Sequence, residues 1–153
     1  MLFRSPNLAF YEPRTAHGSS LSPAIHAGLL ARAGRMGAAL DALKLSTRID
    51  VDDLTGTTAG GLHLATMGGV WQALVFGFAG VRATSSGLTL DPWLPDAWNA
   101  LELNLMFRGR PVRVAIAPDA LTVDADEDVP VFVQGQPGRR FIRDERSWKE
   151  MRT

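Results

Sequence analysis

Apolar positions in the first 80 residues recur at helical spacing, and those that follow alternate, so the chain predicts helices first and strands afterwards. Ile25, Leu29, Leu30 and Ala33 form a helical repeat. Ser22-Pro23 ahead of them is a start signal, with Ser as N-cap and Pro at the first helical position, and Gly34 is a stop. A second helix is expected over roughly Arg35 to Ile49, with Met36, Leu40 and Leu43 on its apolar face and Asp41, Lys44 and Arg48 off it. The link between the two is short enough to imply an antiparallel pair. A polar loop from Asp50 to Gly61 then leads to a third helix, Leu62 to Phe78, apolar nearly all round. Such a helix is expected to be covered on most sides.

Past Gly80 the period falls to two. Short strands are expected at Val81 to Thr84 and Gly87 to Leu90. Leu101, Leu103, Leu105 and Phe107 alternate with Glu102, Asn104 and Met106, the pattern of a half-buried strand. Arg108-Gly109-Arg110 turns the chain, and Val112, Val114 and Ile116 return beside it. Leu121 and Val123 follow a turn at Pro118-Asp119, and Val129 to Val133 is a further strand. This reads as an antiparallel meander. The end from Gly138 mixes Arg139, Arg140, Arg143 and Arg146 with Asp144, Glu145 and Glu150, and reads as a solvated or weakly helical tail. Helices followed by strands make an α+β chain rather than a repeat of β-α units. The boundaries expected are 1–80 for the helices, 81–137 for the strands and 138–153 for the tail.

Composition narrows the function classes. The 153 residues carry sixteen basic and sixteen acidic side chains and a formal net charge of zero. Bulk charge therefore offers no grip on nucleic acid or an anionic membrane, and neither is expected as a partner. Without cysteine there is no disulfide, thiolate metal site or cysteine nucleophile. His17, His26 and His63 lack the close pairing of a metal helix, and no metal is expected. Asp50, Asp52 and Asp53 lack the glycine and distal glutamate of a calcium loop. Met1 to Phe10 does not read as a signal peptide, and Leu62 to Phe78 is shorter than the ~20 apolar residues of a membrane helix. The default location is cytoplasmic.

Two polar loops precede helices: Tyr11 to Ser20, and Thr57 to Thr66. Helix N-termini present unpaired N–H groups and a positive dipole end, which favour an anion. Arg14, His17, Ser19 and Ser20 in one loop, with His63 and Thr66 in the other, make a donor set suited to phosphate or sugar hydroxyls. Plainer roles stand beside this. The serines can simply cap a helix, His63 can be a satisfied core histidine, and Glu12 with Arg14 can be a structural ion pair. Met67, Trp71 and Phe78 read as core, and Arg108, Arg110 and Arg113 as a solvated edge. No nucleophile elbow, Walker loop or dinucleotide fingerprint is present, so the residues alone name no reaction.

Tyr11-Glu12-Pro13-Arg14-Thr15, followed by His17 and Ser19-Ser20-Leu21-Ser22, resembles a signature of glycoside hydrolase family 65. That family holds the maltose, trehalose and kojibiose phosphorylases and related trehalose hydrolases. The likeness continues in Leu62 to Trp71, Gly77 to Gly80, Leu94 to Trp98 and Phe107 to Arg110. It runs through roughly residues 8 to 125, in the family's order and with similar spacing.

The resemblance implies the last helices of an (α/α)6 toroid followed by a small antiparallel β-sandwich. It implies inverting chemistry on an α-linked disaccharide, with a carboxylic acid protonating the glycosidic oxygen while phosphate or activated water attacks the opposite face. Inorganic phosphate is then a co-substrate if the enzyme is a phosphorylase, and no other cofactor is expected. By the same resemblance His63 and Thr66 match the phosphate side, Ser19 and Ser20 are further candidates, and Glu12, Arg14 and His17 shape the loop or the sugar site. Glu12 is also the one carboxylate here that could serve a hydrolase as water-activating base. The family's general acid and its phosphate-binding Lys-Gln pair lie upstream of the Tyr-Glu-Pro-Arg-Thr motif, and Gly60 stands where many relatives have Glu. The expectation is a C-terminal fragment, inactive alone, that self-associates or needs the missing toroid half. The rival expectation is a non-catalytic carbohydrate-binding or assembly module that needs a partner chain.

Overall fold

A computed structural model describes the backbone of residues 4–125, 129–134, 139–144 and 147–152, with side chains described between residues 6 and 134 of these. It divides into two compact units, Met1–Gly77 and Phe78–Thr153.

The first unit is helical. Helix α1 (Arg4–Tyr11) gives way to a 3-10 turn, Glu12–Arg14, at Pro13, which lacks the N–H that would continue the helix. Helix α2 (Ser22–Arg32) buries Ala24, Ala27, Leu30 and Ala31 and leaves Ile25 and Leu29 half exposed. Gly34, at φ 78°, ends it in a Schellman motif: the Arg35 N–H donates to Leu30 O at 3.0 Å and the Gly34 N–H to Ala31 O at 3.1 Å. Helix α3 (Met36–Arg48) starts immediately; of its expected apolar face Leu43 is buried and Met36 and Leu40 are half-buried, while Ala39 and Ser46 complete the buried side.

Helix α4 (Leu64–Gln72) continues into a wider π-helical segment, Ala73–Phe78. It meets α2 through small residues, with Gly69 against Ala24 and Ala73 and Gly77 against Gly28. Close backbone approach is possible only because these positions carry little or no side chain. A helix expected to be covered on most sides in its native setting is covered on one side within this chain. Thr66, Gly69, Ala73, Val75 and Phe78 are buried, whereas Leu62, Leu64, Met67, Trp71 and Phe76 lie at the surface. Met67 and Trp71 are therefore not core residues, although Phe78 is.

The second unit contains two sheets. Strands β1 (Arg82–Thr84) and β2 (Gly87–Leu90) pair antiparallel, and β6 (Val131–Val133) joins β2 in parallel. This sheet is mixed, where a wholly antiparallel meander was expected. Gly87, at φ 146°, lets the chain pass Pro130, and Leu88 N–H donates to Pro130 O at 2.9 Å. The larger sheet contains β3 (Leu101–Phe107), β4 (Arg110–Ile116) and β5 (Ala120–Ala125) as neighbours in sequence order. Its register places Leu103 opposite Val114 and Val114 opposite Val123, a buried row across one face. Arg108 and Gly109, both at positive φ, make the two-residue β3–β4 turn in the geometry that suits strand twist. Arg108 is exposed, as a solvated edge should be, and its guanidinium donates to Ser85 O at 2.8 Å and lies over the Phe107 ring. Strands β7 (Arg139–Asp144) and β8 (Ser147–Arg152) form a hairpin that extends this sheet, so the weakly helical tail is corrected to strand. The alternation that marks β3 to β5 is masked there by charges, and pairing with β5 decides it.

Candidate functional site

The helical unit gathers its polar residues in two places. The first lies where the turn after α1 faces the start of α2. Pro13 frees the last carbonyls of α1, and nearby side chains satisfy them: Arg14 donates to Phe10 O at 2.6 Å and the Thr15 hydroxyl to Tyr11 O at 2.9 Å. Arg14 also stacks 4.1 Å from the centre of the Phe10 ring. It does not pair with Glu12. His17, in the left-handed region at φ 47°, brings its Nδ1 to 2.6 Å from Ser22 Oγ. Ser22 is therefore the first residue of α2 and a partner of His17, not the N-cap; Leu21 precedes the helix without a side-chain cap. Ser19 Oγ accepts the Leu21 N–H at 3.3 Å, a turn contact, and Ser20 beside it is half-buried.

His26 sits one helical turn after Ser22, on the same face. Its ring meets that of His17 edge to face at 4.7 Å, and its Nε2 lies 3.6 Å from Glu12 Oε1. The other Glu12 oxygen is held by the Arg35 guanidinium. That hydrogen bond outweighs desolvation and keeps the Glu12 carboxyl below the ordinary carboxylate range. Ser22, His17, His26 and Glu12 thus form one chain of contacts along a cleft of about 430 Å³, whose walls include Leu8, Tyr11 and Ile25, and Arg35 holds Glu12 from outside that lining.

The second place is the approach to α4. Asp50, just past α3, accepts the His63 backbone N–H on Oδ2 at 2.8 Å and meets His63 Nδ1 with Oδ1 at 2.5 Å. The His63 hydrogen bond is the main reason Asp50 stays below the ordinary carboxylate range. The intervening loop is tied by Asp52 to Arg48 and by Asp53 to the Thr58 N–H, so each acid of this run has a structural partner. Thr57 Oγ1 stands 3.4 Å from His63 Nε2. One turn into α4, Thr66 is 2% exposed, and its hydroxyl has no hydrogen-bond partner among the described residues.

Of the residues singled out in sequence, Glu12 and His17 share the cleft, and His63 and Thr66 share the first turn of α4. Arg14 and Ser19 serve their local backbone. Neither His63 nor Thr66 lines the cleft. Three participants went unassigned: His26, Arg35 and Asp50. The four-residue step from Ser22 to His26 could have placed His26, but nothing local joins Asp50 to His63 across 13 positions or Glu12 to Arg35 across 23.

Comparison with known proteins identifies what the two units are similar to. The glycosyl hydrolase family 65 central catalytic domain matches residues 3–72, and the family's C-terminal domain matches residues 81–139. Kojibiose phosphorylase of Halothermothrix orenii is 39% identical over 87% of this chain and 18% of its own length. Maltose phosphorylase of Bacillus subtilis is 39% identical over 86% of this chain and 16% of its own. A solved structure titled as a putative kojibiose phosphorylase from human microbiome superposes with a TM-score of 0.79 at 30% identity, over 87% of this chain and 18% of that one. The chain spans less than a fifth of the length of these relatives. Among the described residues no helix is long and apolar enough to cross a membrane.

Proposed function

The chain belongs to glycosyl hydrolase family 65, and on that premise we propose that it is the C-terminal portion of a glucoside phosphorylase acting on an α-linked disaccharide. Its helical unit is the closing arc of an α/α toroid. The start of α4 faces inorganic phosphate, with His63 and Thr66 as its contacts and Ser19 and Ser20 as further donors. The cleft of Glu12 and His17 shapes the sugar side, and Arg14, stacked on Phe10, sets the loop between them.

In this reading phosphate attacks the anomeric carbon from the face opposite the departing sugar. A carboxylic acid from the upstream part of the toroid protonates the glycosidic oxygen as its bond to that carbon breaks, and the glucosyl phosphate forms with inversion. The observation that carries the reading is His63, held on both its backbone and its ring by Asp50 at the first turn of a helix whose Thr66 hydroxyl is unpartnered. Hydrolysis with Glu12 as base is less well supported, because Arg35 and His26 occupy both its oxygens and its depressed pKa makes it a weak proton acceptor.

The 153 residues alone are expected to turn over no disaccharide. Joined to the upstream portion of a family relative, they should cleave kojibiose, maltose or trehalose only when phosphate is present. Equal cleavage without phosphate would favour a hydrolase, and cleavage by the isolated chain would overturn the fragment reading. A second reading, an assembly module that docks on a partner chain, is favoured by the surface row Leu64, Met67, Trp71 and Phe76. The two separate when the upstream portion is supplied, since a module gains no turnover from it.

A further inference from the structure

Asp50 stands outside every motif that carries the family likeness, yet both of its oxygens go to one residue, His63. A carboxylate that accepted only the backbone N–H would do no more than start α4. The second contact, at Nδ1, acts on the ring. An ionised carboxylate has no proton to give, so Nδ1 must carry the hydrogen of that bond. The neutral imidazole is thereby fixed with Nε2 as its unprotonated nitrogen, which accepts from the Thr57 hydroxyl at 3.4 Å, a long bond that a phosphate oxygen would replace. When Nε2 takes a proton, the resulting imidazolium lies against the Asp50 carboxylate and keeps its orientation. With its side chain only 11% exposed, Asp50 is well placed to hold that charge out of bulk water.

Resting on the phosphate-side reading of His63, we propose that Asp50 is a positioning residue. It locks His63 with the proton on Nδ1 and turns Nε2 toward a phosphate oxygen. There Nε2 accepts the hydrogen of a protonated phosphate oxygen or, once protonated, donates to an ionised one. Asp50 itself touches no phosphate. The arrangement follows the general pattern in which a carboxylate behind a histidine sets the tautomer and the orientation of the ring.

The test is nitrogen-15 spectroscopy of the histidine rings in the 153 residues joined to the upstream portion of a family relative, combined with titration by inorganic phosphate against chloride at matched ionic strength. The neutral His63 ring should carry its proton on Nδ1. Asp50→Ala should move it to Nε2 and weaken phosphate binding about tenfold, the worth of one charge-assisted hydrogen bond. Asp50→Asn has one oxygen for two donors. With that oxygen kept on the His63 backbone N–H, its NH2 faces Nδ1 and should also move the ring proton to Nε2 while the start of α4 is preserved, which separates orientation from loss of fold. A wild-type ring with its proton on Nε2, or phosphate binding equal in wild type and Asp50→Ala, would overturn the positioning role while leaving the phosphate reading in place. Absence of any phosphate response at His63 in wild type would overturn the phosphate reading, and the proposal with it.

Discussion

A β-carbon placed on Gly77 would stand 2.7 Å from the α-carbon of Gly28, closer than any real side chain approaches a backbone. The π-helical end of α4 and the middle of α2 therefore touch backbone to backbone. Gly77→Ala must push the two apart or deform one of them, at about 1–3 kcal/mol. Gly68→Ala is the control. It lies in the same helix with nothing within 4 Å of the added carbon, and it should gain about 0.5–1 kcal/mol from helix propensity. Thermal unfolding of the two variants should move in opposite directions.

Gly87 tests the second unit. Its φ of 146° is closed to other residues, and an added β-carbon would lie 2.3 Å from Pro130 O. Gly87→Ala should break the parallel pairing of β2 with β6 and cost roughly 2 kcal/mol or more. Hydrogen exchange is the readout: the Leu88 amide, bonded to Pro130 O, should lose its protection, while amides of α2 and α3 keep theirs.

The carboxylates of Glu12 and Asp50 set an acid limit. Both are depressed, Glu12 chiefly by the Arg35 hydrogen bond and Asp50 chiefly by that of His63. A carboxylate with a lower pKa in the folded state stabilises the fold fully above its unfolded value, about 4. That contribution disappears as pH falls through the folded value. Urea midpoints should therefore hold steady down to about pH 5 and drop below about pH 4. Glu12→Gln should be less stable at neutral pH and show a shallower acid drop. A variant as steep as wild type would remove Glu12 from the account.

Leu64 and Trp71 mark the uncovered side of α4, at 73% and 49% exposure. Trp71 and Phe76 stack edge to face at 5.7 Å, which makes the row continuous at that point. A contiguous apolar patch on an isolated chain invites association. Light scattering should find the 153-residue chain above monomer mass at high concentration, and Leu64→Lys with Trp71→Lys should return it toward monomer.

Alternation in Leu101 to Phe107 states its element openly, because burial of one face imposes a local period; the spacing of Ile25 and Leu29 marks α2 as a helix but not its buried face, which is Ala24, Ala27, Leu30 and Ala31. Gly34 and Arg108-Gly109 mark a helix end and a hairpin for an equally local reason, the need for positive φ. The motif from Tyr11 to Ser22 marks the family without any coordinates. Other features have no local signature. The parallel seat of β6 beside β2, and the strands at 139–144 and 147–152, depend on partners distant in the chain. Ser22 reads as a cap, and only the left-handed turn at His17 claims its hydroxyl. Arg35 reads as a surface cation until folding brings Glu12 to it, and Asp50 as one acid of a loop until His63 returns against it. Periodicity is set by near neighbours and survives in the one-dimensional string. The proton-bearing contacts join residues whose spacing is set by loop closure, so the tertiary structure alone decides them.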